Sequence, residues 1–332
     1  MNNRKILVTG GAGFIGGNFI HYMIKKYPMY EIYNVDKLTY ASDLIKHKDL
    51  EKNDHYHFIE ADIVEHDRMI SLFEELKFDF VVHFAAESHV DRSILEPDIF
   101  VQTNVLGTQV LLESARRVGI TKFIHVSTDE VYGELDFDPT SFFTEETPIK
   151  PNSPYSASKA SSDLLVQAYH HTYQLPMNIT RCSNNYGPYH FPEKLIPLAI
   201  SRILKNEKIP VYGDGQNIRD WLHVFDHCSA IDLVLHEGIN GEVYNIGGHN
   251  ERTNLEVVKT IIQALGKSED LIRFVEDRLG HDKRYAINSS KLKQLGWKPQ
   301  YTFEIGIDQT IKWYIENKLW LEEIKNKALH LP

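Results

Sequence analysis

The sequence predicts an α/β protein: a doubly wound parallel sheet joined to a smaller α/β carboxy-terminal substrate domain. Three observations carry this. An apolar run at residues 4–9 leads into Gly10-Gly11-Ala12-Gly13-Phe14-Ile15-Gly16 and then into an apolar-periodic segment ending near Lys26, which is the order strand, glycine turn, helix. A second run at 31–35 ends on Asp36, 20 residues beyond Gly16, where dinucleotide-binding units place an acidic residue. The alternation then continues, with strands expected near 57–60, 80–84 and 122–126 and helices near 66–76 and 98–118. Strands that alternate with helices in this way build a parallel sheet of Rossmann type.

Each early element has a chemical reading. Glycines at 10, 13 and 16 let the turn adopt positive φ, bring backbone N–H groups close to a pyrophosphate and allow tight packing of helix on strand. The spacing is GxxGxxG, one residue longer than the GxGxxG fingerprint. At the end of the second strand, the Asp36 carboxylate can bind both hydroxyls of a ribose and repels a 2′-phosphate, so NAD is expected over NADP, with Lys37 alongside acting in the opposite sense. Asp62-Ile63 follow the third strand, where adenine would lie, and Ala85-Ala86 follow the fourth, where small residues let a cofactor approach. Either pair also reads as ordinary loop.

Composition sets the class. A chain of 332 residues is long for one core, so one large or two unequal domains are expected. A hydrophobic share of 42% and a charged share of 25% are those of a soluble globular protein. No apolar run approaches the roughly 20 residues of a membrane span, and the first strand begins without a signal-peptide pattern, so the cytoplasm is the expected location and no membrane partner is expected. The two cysteines, Cys182 and Cys228, lack metal-ligand spacing and read as reduced packing residues; no metal is expected. A net charge of −10 argues against a general nucleic-acid surface.

The strand at 122–126 runs into Ser127-Thr128-Asp129-Glu130-Val131-Tyr132-Gly133. Alone, this is an ordinary polar turn. At the end of a parallel strand it delivers a hydroxyl and two carboxylates to the edge where such sheets place their chemistry. Downstream, Pro154-Tyr155-Ser156-Ala157-Ser158-Lys159 opens a helix reaching about Tyr173. Tyr155 and Lys159 stand four apart and share a face, so their heads can meet near a bound ribose. A tyrosine has a reference pKa of about 10, and a nearby ammonium and an oxidised nicotinamide both favour its phenolate.

Beyond about residue 181 the pattern loosens. Asn184-Asn185-Tyr186-Gly187-Pro188 reads as a turn, 191–206 as a helix with Lys194 in its early turns, and Val211-Tyr212-Gly213-Asp214-Gly215 as a tight hairpin followed by Arg219-Asp220-Trp221 and a strand at 222–224. A helix at 226–236 and a strand at 242–246 are expected to return to the first sheet. The domains are therefore discontinuous: 1–181 with 222–248, and 182–221 with 249–332. Residues 303–327 repeat Trp, Tyr, Leu and Ile at helical spacing and read as core packing.

The glycine turn, Thr128 and the Tyr155/Lys159 pair resemble the extended short-chain dehydrogenase/reductase family, the NAD-dependent epimerases and dehydratases. Within it, the 127–133 segment resembles the branch of dTDP-glucose 4,6-dehydratases, which oxidise the sugar at carbon 4 and remove water across carbons 5 and 6. The similarity covers nearly the whole chain, including Ala86-Glu87-Ser88-His89-Val90-Asp91-Arg92-Ser93, the 184–188 motif and Gly280-His281-Asp282. The acid pair discriminates most, since related epimerases and decarboxylases lack it and GDP-mannose dehydratases typically differ at the Asp. One departure is Ser42, where the family usually has glycine.

The resemblance implies a hydro-lyase acting on dTDP-glucose with NAD. Tyr155 would take the carbon-4 hydroxyl proton, Thr128 would hold that oxygen, and Lys159 would support the tyrosine. Glu130 as base and Asp129 as acid would then remove water across carbons 5 and 6. It implies cofactor contacts at Gly10, Gly13, Phe14, Ile15, Gly16, Asp36, Lys37, Thr39, Asp62, Ile63, Ala85, Ala86, Ser88, Thr103, Tyr155 and Lys159. Substrate contacts are implied at His89, Thr128, Asn184, Lys194, Leu195, Tyr212, Arg219, Asn254, Arg278 and His281, with an arginine fork suited to a diphosphate. It also implies a homodimer through a four-helix bundle of the helices at 98–118 and 155–173, and a product destined for rhamnose or another deoxysugar. The competing readings are a UDP-hexose 4-epimerase and an NAD-binding regulatory protein without catalysis.

Overall fold

A computed structural model of the chain describes residues 3–277 and 280–329. The first half contains strands β1 (Lys5–Thr9), β2 (Glu31–Asp36), β3 (Tyr56–Glu60), β4 (Phe80–His83), β5 (Lys122–Thr128) and β6 (Met177–Cys182). They alternate with helices α1 (Phe14–Lys26), α2 (His66–Leu76), α3 (Val90–Leu95), α4 (Pro97–Phe100), α5 (Gly107–Val118) and α6 (Pro154–Tyr173). The second half adds β7 (Asn184–Tyr186), α7 (Leu195–Leu204), β8 (Ile209–Tyr212), β9 (Ile218–His223), α8 (Val224–Glu237), β10 (Val243–Ile246), β11 (Glu251–Thr253), α9 (Asn254–Ala264), β12 (Ile272–Val275), α10 (Ser290–Gln294), α11 (Phe303–Glu316) and α12 (Lys318–Leu329).

Seven parallel strands in the order β10-β6-β5-β4-β1-β2-β3 form the central sheet. Its strands are apolar on both faces because both faces are covered. In β1 the two faces separate by alternation. Ile6 and Val8 enter a core with Phe19, Ile20, Ala230 and Ile231 from α1 and α8, while Leu7 enters another with Met69, Leu111 and Val166 from α2, α5 and α6. The strand order turns back at β1 and β4, where Thr9 lies opposite both Val35 and His83. Open α/β sheets leave their crevice at such a switch point.

The second half has its own core. Ile196, Ile200, Val257, Ile261, Phe303, Ile307 and Tyr314 bring α7, α9 and α11 together. The second half also forms two small sheets, β11-β9-β7 and β12-β8.

Four local expectations are corrected. Residues 211–215 do not close a hairpin: β8 pairs in parallel with β12, and β9 pairs with β7 and β11. Strand β8 buries Val211 in the carboxy-terminal core, whereas β9 is divided, with Trp221 in that core and Leu222 under the large sheet. Asn184–Tyr186 is the short strand β7, not a turn, because β9 supplies a parallel edge beside it. Helix α7 starts only at Leu195; the Lys194 N–H closes a turn on the Phe191 carbonyl at 3.1 Å, which leaves Lys194 extended at the N-cap. The helix expected at 98–118 is interrupted by a π turn, Val101–Leu106. That turn carries Asn104, which exchanges hydrogen bonds with the Glu87 backbone (2.8 and 3.0 Å) and donates to Ser158 Oγ at 2.8 Å.

Candidate active site

A cavity of about 680 Å³ opens at the carboxyl edge of the large sheet, between it and the second half. Every candidate site residue named above that falls among the described residues lines it. Arg278 lies outside the described residues.

The glycine turn forms one end. Gly10 has φ +71°, and a Cβ there would stand 2.6 Å from the Ala85 nitrogen; a Cβ on Gly16 would stand 2.5 Å from the Gly10 carbonyl oxygen. Side chains are excluded at these glycines, and the first residues of α1, Phe14 to Gly16, line the cavity, the setting in which a helix N-terminus receives a diphosphate. Phe14 and Ile15 follow, with Phe14 stacked on His190 at 4.3 Å between ring centres. At the end of β2 the Asp36 carboxylate is buried and accepts from Ala12 N (3.0 Å), Leu38 N (2.8 Å) and Ser42 Oγ (2.9 Å). Lys37 Nζ reaches Thr103 Oγ1 at 3.3 Å and Asp62 Oδ2 at 3.4 Å. The Lys37 charge is thus engaged with a carboxylate beside the ribose position, and the pocket chemistry suits a 2′-hydroxyl. Thr39, Ile63, Ala85, Ala86 and Ser88 complete this end, and the fit of the chain to NAD is good.

The reacting end is built from β5 and α6. Strand β5 runs through Thr128, and a 3₁₀ turn, Asp129–Tyr132, follows, N-capped by Thr128 Oγ1, which accepts from Glu130 N at 3.2 Å. Helix α6 starts beside it because Ser153 and Ser156 form a capping box and Pro154 occupies the first turn. Asp129 is 2% exposed, and its Oδ2 has no hydrogen-bond partner among the described residues. Burial, and then the neighbouring Glu130 carboxylate, hold its pKa well above the usual carboxylate range. Glu130 is partly exposed. The two acids therefore differ in environment, a difference the sequence alone does not show: Asp129 is the buried one, and its burial favours the protonated form.

Tyr155 is buried, with Thr128, Glu130 and Asp129 as neighbours. Its pKa is raised, first by burial and then by Glu130, opposite to the expected lowering by Lys159. Lys159 does not offset this: its Nζ donates to the Val126 carbonyl at 2.8 Å, and burial pushes its own pKa down to about 8 against the pull of Asp163. Behind it lies a buried ionic group, in which Asp163 accepts from Arg181 Nε at 2.8 Å and Arg181 donates to Tyr132 Oη at 3.0 Å.

The far end belongs to the second half. Asn184 Oδ1 is buried without a partner among the described residues. Arg219 lies over the Tyr285 ring at 4.4 Å and donates to the Ile218 and Asp282 carbonyls, so part of its donor fork holds the loop around residue 282. Lys194 Nζ donates to the Ser88 carbonyl at 3.2 Å. His281 Nδ1 meets Asp277 Oδ1 at 2.6 Å and its ring stands edge-on to the half-exposed Tyr212. Leu195 and Asn254, each the first residue of its helix, close the wall. His89 caps α3, and its Nε2 lies 3.5 Å from Glu193.

Sequence reasoning missed Glu193, His190 and Cys182, which also line the cavity. Glu193 accepts from Tyr40 at 3.1 Å and stands by His89 and Lys194. The signal was present in its position next to Lys194.

The sequence model of the GDP-mannose 4,6 dehydratase family matches residues 7–310. The chain belongs to that family. Among relatives of this dehydratase family, a dTDP-glucose 4,6-dehydratase of Escherichia coli is 51% identical over 96% of this chain and 96% of its own length. A crystal structure of dTDP-glucose 4,6-dehydratase from Bacillus anthracis in complex with NAD is 51% identical, covers 97% of this chain and 99% of that one, and superposes with a TM-score of 0.90. The dTDP-glucose 4,6-dehydratase of Streptomyces venezuelae, with NAD and TDP bound, is 46% identical over 96% and 99% of the two chains, with a TM-score of 0.92.

Proposed function

We propose that this chain is a dTDP-glucose 4,6-dehydratase, a lyase that converts dTDP-glucose into dTDP-4-keto-6-deoxyglucose and water. The observation that carries this is the acid pair at the end of β5: Asp129, whose burial pushes its pKa up, beside a partly exposed Glu130, within the same cavity as Thr128 and Tyr155. Hydride transfer alone needs no such pair, whereas loss of water needs one group to give a proton and one to take it.

In this reading the glycine turn, Asp36 and the residues around them hold NAD. When bound, NAD accepts hydride from sugar carbon 4 and gives it back at carbon 6, and the positive charge of its oxidised ring opposes the burial that raises the Tyr155 phenol. Thr128 Oγ1 holds the carbon-4 oxygen and Tyr155 Oη takes its proton. Lys159 supports the tyrosine and a ribose. The carbon-4 ketone acidifies the carbon-5 hydrogen, which Glu130 removes, and Asp129 protonates the departing carbon-6 hydroxyl. His89, Asn184, Lys194, Leu195, Tyr212, Arg219, Asn254, Arg278 and His281 bind the nucleotide sugar. Residues 1–181 with 222–248 thus form the NAD domain and 182–221 with 249–332 the substrate domain.

The same reading has the protein work in the cytoplasm as a homodimer. The dimer is supported by apolar side chains left exposed on the α3–α6 face: Leu95 at 81%, Val101 at 56%, Leu164 at 54% and Leu106 at 48%. Among the described residues no helix is long and apolar enough to cross a membrane.

The test is incubation of the purified protein and NAD with dTDP-glucose and UDP-glucose side by side, products being read by mass and NMR. The expected product is dTDP-linked, lighter by one water and keto at carbon 4. A product of unchanged mass inverted at carbon 4, or no product, overturns the reading.

A further inference from the structure

The glycine turn is held from behind by a short segment that the function above does not use. Three successive turn carbonyls are each taken by a different donor from residues 43–47: Gly11 O accepts from His47 Nε2 at 2.8 Å, Ala12 O from Asp43 N at 2.9 Å and Gly13 O from Lys46 Nζ at 2.8 Å. All three donors are buried, at 2% for His47, 3% for Asp43 and 4% for Lys46. Because a carbonyl can only accept, His47 carries its proton on Nε2, and burial keeps the ring neutral by pushing its pKa down to about 4.

Lys46 reaches the turn through a slot. Gly17 stands one residue past the GxxGxxG motif, and a Cβ there would lie 2.6 Å from Lys46 Cδ and 3.1 Å from the Gly11 carbonyl oxygen. Gly17 is helical, so its lack of a side chain serves no turn; it makes room for the lysine stem. The ammonium ends at the N-cap residue of α1, Gly13, and also faces the Tyr189 ring at 5.6 Å. The segment is itself anchored from the carboxy-terminal side, where Trp320 Nε1 donates to Asp43 Oδ2 at 2.6 Å.

We propose that residues 43–47, with Lys46 seated in the Gly17 slot, are a positioning clamp that fixes the glycine turn for the dinucleotide diphosphate and sets its affinity. The clamp acts in two ways. It satisfies carbonyls on the rear of the turn, which keeps the N–H groups on the front aimed into the cavity, and it adds a buried positive charge to the end of α1 that already attracts anions. Lys46 is a positioning residue, acting on the cofactor through the turn. The inference rests on the reading of that turn as the diphosphate cradle.

The experiment uses the full-length protein freed of dinucleotide and titrated with NAD and with ADP-ribose in a calorimeter. Lys46→Met should raise Kd about tenfold for both ligands, as loss of a buried charge at a helix end predicts, while kcat at saturating NAD changes by less than about twofold. Gly17→Ala attacks the same contact from the other side and should shift both Kd values in the same direction. A Lys46→Met protein that binds NAD within about twofold of the parent overturns the clamp, whether or not its unfolding midpoint has fallen. Gly16→Val separates the two levels: it should abolish NAD binding, and if it binds NAD like the parent, the cradle reading fails independently of Lys46.

Discussion

Replacing Lys159 with methionine should make the protein more stable and inactive at once. Lys159 is 4% exposed, and burial lowers its pKa from 10.5 to about 8. At about 1.4 kcal/mol per unit, keeping the ammonium charged in that site costs about 3 kcal/mol near neutral pH. Methionine has similar length and no charge, and it gives up the bond to the Val126 carbonyl, a loss of about 1 kcal/mol. The expected net gain is about 2 kcal/mol. The sign in pH follows from proton counting. Between about 8 and 10.5 the unfolded chain holds a proton on Lys159 that the folded protein has shed, so the parent gains stability as pH rises through that window. The advantage of Lys159→Met is therefore largest near neutral pH and shrinks toward the upper end of the window. Denaturant midpoints of the two proteins at both ends of the window measure this, with dTDP-glucose turnover measured alongside. A methionine variant less stable than the parent at neutral pH, or a stability difference that does not change with pH, would refute the reasoning.

Asp129→Asn keeps the shape and neutrality of the buried acid but cannot supply its proton; water loss should fall by about 10²- to 10⁴-fold while NADH formation in a single turnover survives, and normal dehydration would remove Asp129 from the acid role. Glu130→Gln should give the same split by blocking proton removal from carbon 5, seen as lost solvent exchange at that position. Charging the exposed apolar face with Leu95→Glu and Val101→Glu should shift sedimentation from dimer to monomer; a parent that sediments only as a monomer would sink the dimer.

The sheet was legible because its strands are buried on both faces and so appear as unbroken apolar runs, bracketed by a glycine turn and an acidic residue at defined spacing. The chemistry of the 127–133 segment was legible for a different reason: a strand that stops on Thr128 must deliver the next residues to the sheet edge. What sequence could not supply was environment. Asp129 and Glu130 are adjacent and nearly alike in composition, and only the packing that buries Asp129 ranks them. The same blindness applies to Tyr155, where helical spacing gives proximity to Lys159 but does not show the burial and the acids that raise the phenol in the protein alone. The false hairpin at 211–215 arose from real glycine-turn chemistry, with positive φ at Gly213 and Gly215, joined to strands whose partners lie far away in sequence. Lys46-His47-Lys48-Asp49 has the composition of a solvated run, yet its first two residues are buried.

The π turn at Val101–Leu106 has a consequence for the phase of the long helical segment from Pro97 to Val118. An α-helix advances about 100° per residue, and a π turn absorbs one extra residue within the coil. The stretch before it and the stretch after it are thus indexed independently. Thr103 and Asn104 can point at the cavity and at Ser158 while Val101 and Leu106 point outward from the same turn. One residue of slack lets the inner face line the cavity while the outer face keeps its apolar side chains exposed, so a one-residue deletion within the turn would rotate one face out of register with the other without changing a single side chain on either.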